Sequence, residues 1–214
     1  MIPGKGIIML KFFFFLFITV NAIAGSINAN PLMSKQEGVD LLREKSQSEE
    51  KRFVFRDGFK RPYTRGDFVI LWGVGASTAN QKITEDEYKG LWRVMNYLSN
   101  SGFRVVMNFR STGEDLKMAA ASPTSSVLLF SGHGNKKAFY DYDGKPVDYD
   151  VLEKASRSVY QLILSACEGR IALDNYYVVP KRIRTYAWTG LTNSTELLEF
   201  LAGDSWTGFE RGQE

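Results

Sequence analysis

The chain has 214 residues, with 27 basic and 24 acidic side chains, one histidine and one cysteine. Near-balanced charge argues against a nucleic-acid surface, and a single thiol excludes an intrachain disulfide. One cysteine and one histidine cannot complete a four-ligand zinc shell, so no metal or other cofactor is expected.

Residues 1–24 have the order of a secretory signal peptide: Lys5 and Lys11, an apolar run over 12–20, then Ala22-Ile23-Ala24 as a small-residue exit. The apolar run is about half of the ~20 residues a spanning helix needs. The chain is therefore expected to be secreted or periplasmic, touching a membrane only if this segment stays uncleaved. About 190 residues remain, one domain able to bury a full core.

Residues 25–66 form a charged N-terminal arm. Its stretch 34–52 carries Val39, Leu41 and Leu42 as the only sizeable apolar cluster and reads as a short surface helix or partly disordered segment. Phe53-Val54-Phe55, followed by Asp57-Gly58 and Phe59, suggests a strand and turn forming a small hairpin.

From Asp67 onward, in the unit 67–214, strands and helices alternate. Strands are expected at 68–72, 103–107, 127–130, 159–164 and 183–188. Helices are expected at 83–98, opened by Thr84 and Glu87 at capping-box spacing, and at 112–121, 150–157 and 193–201. Residues 139–147 alternate around Asp143-Gly144, a hairpin signal. Such alternation indicates a three-layer αβα sandwich with a mostly parallel central sheet.

The two rarest residues each follow a buried apolar strand. His133 lies in Ser131-Gly132-His133-Gly134 after Val127-Leu128-Leu129-Phe130. Cys167 lies in Ser165-Ala166-Cys167-Glu168-Gly169 after Leu162-Ile163-Leu164. Their separation of 34 positions holds a hairpin, a helix and a returning strand, which is one crossover unit. Successive parallel strands end on the same sheet edge, where open α/β folds bind ligands. A thiolate is the nucleophilic form of cysteine, and a nearby imidazole can take the proton. The backbone amides of Gly134 and Cys167 are candidate donors to the oxyanion of a tetrahedral intermediate.

Apolar strand, Ser-Gly-His-Gly, crossover, apolar strand and Ser-Ala-Cys-Glu-Gly together resemble the caspase-like cysteine peptidases. That group contains caspases, metacaspases, legumains, clostripain, gingipains and the related CHAT domains, and the wording of both motifs leans toward bacterial CHAT-type members. The resemblance covers roughly 67–201. It implies a caspase-like fold, a protein or peptide substrate, attack by Cys167, and His133 polarising the carbonyl or protonating the leaving amine. It also implies an oxyanion hole made by the amides of Gly134 and Cys167.

The chain departs from the family pattern in three ways. The crossover is short, and 174–182 is too short for an excised linker. No first-subsite residue can be read, because Asp174, Glu168 and Glu196 compete with Lys82, Arg110 and Arg170. The alternative is a catalytically inactive scaffold of the same fold that binds a peptide or protein. Oligomeric state is not legible. Gly73-Val74-Gly75 lacks the third glycine of a dinucleotide loop and reads as a strand-to-helix turn. The Lys181-Arg182-Ile183-Arg184 run reads as a solvated strand edge, and Asn193-Ser194-Thr195 as either a helix cap or a glycosylation sequon.

Overall fold

A computed structural model describes residues 26–29, 33–48, 50, 52–57, 64–74 and 83–202. The expected leader at 1–24 and the Gly58–Phe59 part of the expected hairpin lie outside the described residues.

Five parallel strands make the centre of the sheet, in the order β4 (Arg104–Phe109), β3 (Asp67–Trp72), β5 (Ser125–Ser131), β8 (Gln161–Ser165) and β9 (Arg184–Ala187). All six residues of β3 and all seven of β5 are buried, as continuous apolar strands covered on both faces should be. Alternation along β3 divides the core. Phe68, Ile70 and Trp72 join α1 (Lys35–Gln47), α2 (Glu85–Asn100) and α5 (Ser194–Ala202) on one face. Val69 and Leu71 join α3 (Gly113–Ala121) and α4 (Gly169–Tyr176) on the other. The protein is thus an α/β fold with helices on both sides of a parallel sheet.

The N-terminal arm is built into this sheet. Strand β1 (Ser26–Ala29) pairs in parallel with β2 (Arg52–Asp57), and β2 pairs antiparallel with β4. Helix α1 opens with a reciprocal cap between Ser34 and Glu37 and buries Val39 and Leu42 in the core beside α2. It approaches so closely that a Cβ on Gly38 would fall 2.2 Å from the Trp92 ring. Two apolar side chains and one glycine suffice for this docking, which is why the sequence reads as a surface segment.

One expected helix is absent. Residues 150–157 form successive turns, with Glu153 N–H donating to Asp150 O and Ala155 N–H to Leu152 O. The segment closes in turns bonded three residues apart instead of a continuous helical ladder, and burial of Val151 and Leu152 holds the turns in place. Conversely α4, directly after the cysteine, was not expected. Its apolar face is only Ala172 and Leu173.

Strand β3 leads to β4 on one side, whereas β5 leads to β8 and β9 on the other. The order of the strands reverses between β3 and β5, and the crevice beyond their carboxyl ends is where such sheets bind ligands. At the opposite end of these strands, Asp67 is buried and accepts from Arg104 Nε at 2.6 Å and from the Thr124 hydroxyl at 2.6 Å. Removing Arg104, itself partly exposed, would leave the buried Asp67 charge with the Thr124 hydroxyl but without its cation. Arg104→Ala should therefore lower unfolding free energy by about 3 kcal/mol, measured by urea denaturation.

Candidate active site

Both motifs emerge at the same level. The β5–β8 ladder ends with Ser131 opposite Ser165, and the Gly132 amide extends it by donating to Ser165 O at 3.0 Å. His133 and Cys167 therefore each stand two residues past the last paired position.

His133 and Gly134 form β6 (His133–Gly134), paired antiparallel with β7 (Phe139–Tyr140). Gly132 makes this turn possible: a Cβ there would lie 2.5 Å from Tyr140 O and 2.9 Å from the Phe130 ring. The tip is held by Asn135, whose Oδ1 accepts from the amides of Lys137 and Ala138 at 2.8 and 3.0 Å. Behind the ribbon, the Asp143-Gly144 turn forms as expected around buried Asp141. Its carboxylate accepts from the amides of Asp143, Lys145 and Gly113. Phe139 is buried against Tyr177 with ring centroids 4.5 Å apart, and the Tyr177 hydroxyl accepts from Phe139 N–H and donates to Val147 O.

The Asn135 N–H donates to Ala138 O, so Asn135–Ala138 is a hydrogen-bonded pair. Alternation then makes Gly134–Phe139 a non-bonded pair, with the Gly134 N–H turned away from β7. Gly134 packs directly on the Cys167 backbone: a Cβ there would meet Cys167 O at 2.6 Å, Ala166 Cβ at 2.8 Å and Cys167 N at 3.2 Å. Among the described residues, the Cys167 amide has no hydrogen-bond partner.

Cys167 is half-buried at the turn from β8 into α4. The turn is made by Glu168 in the left-handed region (φ 54°), an uncommon conformation for a residue with a Cβ. Its amide donates to Gly190 O at 2.7 Å, and Arg170 N–H donates to Trp188 O at 2.9 Å. These bonds draw the segment after β9 over the thiol, whose Sγ lies 3.7 Å from Thr192 O. His133 Nε2 is buried and, among the described residues, without a hydrogen-bond partner. The two motifs thus share one rim, with the thiol on the Thr192 carbonyl and not on the imidazole.

No protein-family model matches the sequence, and none of the curated proteins matches it. The site therefore stands on its own geometry.

Three of the charged residues that compete in sequence for a first subsite are engaged in ion pairs. Glu168 pairs with Lys136 at 3.7 Å, and Arg170 pairs with Asp174 at 2.9 Å. An Arg110 Nη2 donates to Ser48 O, far from the thiol along the chain. Lys82 lies outside the described residues. Asn193 caps α5, its Oδ1 accepting from Glu196 N at 2.8 Å. Among the described residues, no three His, Cys, Asp or Glu side chains form a group able to hold a metal, and no helix is long and apolar enough to cross a membrane. Sequence reasoning missed Thr192 as the thiol's neighbour, since only the fold brings that segment back.

The tight seat at Gly134 has a direct test. Gly134→Ala should cost about 1–3 kcal/mol of stability through overpacking against backbone. Gly190→Ala, where a Cβ meets nothing within 4 Å, should stay within about 0.5 kcal/mol in the same denaturation series. Burial pushes the Tyr177 hydroxyl well above the usual tyrosine range, against the smaller opposing effect of the Phe139 amide. The folded state thus keeps its proton where the unfolded chain loses it, and stability contributed below about pH 10 is lost as pH rises further. Tyr177→Phe should shallow that alkaline decline in thermal melts between pH 9 and 11 on the order of one proton's worth of slope.

Proposed function

We propose that this chain is an exported, caspase-like cysteine endopeptidase acting through a His133/Cys167 dyad. One observation carries the reading: Gly134, next to the histidine, is packed on the Cys167 backbone at the ends of adjacent parallel strands. Export rests on the signal-peptide pattern of 1–24.

In this mechanism Cys167 Sγ attacks the scissile carbonyl carbon, and the thiol proton passes through the imidazole of His133 to the leaving amine. The C–N bond breaks and a thioester forms. Water, deprotonated by His133, then attacks the thioester carbonyl, releasing the acid and restoring the thiol. The amides of Gly134 and Cys167 donate to the oxyanion in both tetrahedral intermediates. The partnerless Cys167 amide and the outward Gly134 N–H support that role. The absence of a hydrogen bond from the thiol to His133 fits this reading, since catalytic hydrogen bonds often tighten only when substrate is bound.

A second reading is favoured by a different observation. The thiol lies against the Thr192 carbonyl rather than the imidazole, the arrangement expected of a caspase-like scaffold that binds a peptide or protein without cleaving it. One experiment separates the two. A panel of peptide acyloxymethyl ketones should label Cys167 in the folded protein at neutral pH, located by mass spectrometry, and His133→Ala should slow labelling at least tenfold. Folded protein that binds peptides yet gives no Cys167 adduct across the panel selects the inactive scaffold.

A further inference from the structure

A pocket of about 200 Å³ opens beyond the carboxyl end of β3, beside the point where the strand order reverses. Its walls are Trp72, Val74, Ile83, Thr84, Glu87 and Ser194, and the cysteine chemistry uses none of them. Two of its lining residues carry polar groups that are incompletely matched. Trp72 is 1% exposed, and among the described residues its indole Nε1–H has no hydrogen-bond partner; indole can only donate. Glu87 is 8% exposed, with Oε2 accepting from the Thr84 amide at 2.6 Å and Oε1 from the Ser194 hydroxyl. A carboxylate offers about four acceptor positions, so about two remain, and among the described residues no cation pairs with it.

A ligand that completes this site must bring an acceptor to the indole and donors to the carboxylate. A cationic side chain answers only the carboxylate. An anionic one answers the indole and is repelled by Glu87, and a hydrocarbon answers neither. A primary carboxamide has both functions on one planar group. We propose that the pocket binds the side-chain carboxamide of a glutamine or asparagine residue, its oxygen accepting from Trp72 Nε1–H and its NH2 donating to Glu87. Val74, Ile83 and the indole ring provide apolar walls for the methylene stem.

The pocket adjoins the thiol through one short stretch of chain. Thr192, whose carbonyl lies against Cys167 Sγ, is two residues before Ser194 in the pocket wall. A peptide held at Cys167 can place one side chain there. Naming a peptide as the carrier of the amide rests on the cysteine-peptidase reading, whereas the hydrogen-bond match does not.

The test uses the 15N-labelled protein and the indole region of its NMR spectrum. The chain has four tryptophans, and Trp72→Phe assigns the Trp72 signal by its loss. N-acetylglutamine methylamide and N-acetylasparagine methylamide should each move the Trp72 indole proton downfield saturably. The leucine, lysine, serine and glutamate analogues should leave it in place. In Trp72→Phe, binding of the glutamine probe followed at the Ser194 amide should weaken about threefold to tenfold. Glu87→Gln should weaken it similarly, with folding of both variants checked by near-ultraviolet circular dichroism. No indole shift with either amide probe overturns the inference, as does an equal shift with leucine or a larger one with lysine or serine. The outcome is independent of thiol labelling: a shifted indole beside an unlabelled Cys167 removes the peptidase reading and keeps the pocket.

Discussion

The parallel ladder between β5 and β8 sets the arrangement beyond the strand ends. It runs level to Ser131 and Ser165 and gains one more rung from the Gly132 amide. Because both strands are buried on both faces, a slip by one residue would turn every apolar side chain to the wrong layer. Register is thereby fixed by the core, and register in turn fixes which residues face each other past the rim. Gly134 can rest on Cys167 only because the ladder delivers both at the same height.

Strand positions were legible because β3, β5 and β8 are short apolar runs between helices, one of them opened by the recognisable cap of Thr84 with Glu87. The pairing of the two motifs was legible for the same reason, since a crossover between parallel neighbours leaves both ends on one edge. What stayed hidden depended on contacts distant in sequence. Helix α1 carries too few apolar residues to announce its docking on Trp92, and α4 is carried by two small contacts at Ala172 and Leu173. The 150–157 segment misled in the opposite direction, its helical composition closing in successive turns bonded three residues apart. The segment 188–192 shows no periodicity, and its place over the thiol follows from bonds to Glu168 and Arg170.

Glu87 shows how one residue can satisfy a local rule and a tertiary one together. Its capping-box role is visible in the sequence, because the spacing from Thr84 is local. Its bond to Ser194, across 107 positions, ties the start of α2 to the start of α5. One negative charge thus serves the positive ends of two helices that lie side by side. The same carboxylate lines the crevice at the strand-order reversal.

The far side of the sheet closes on β9, a strand of four residues with no neighbour beyond it among the described residues. Arg184 is exposed on it, preceded by exposed Lys181, while Arg182 folds back onto the carbonyls of Ala155 and Ser156. An open strand border is a template on which other copies can stack and aggregate. A border this short, with Arg184 on it and Lys181 just before it, sets like charges against its own likeness, whereas a longer apolar strand would invite polymerisation.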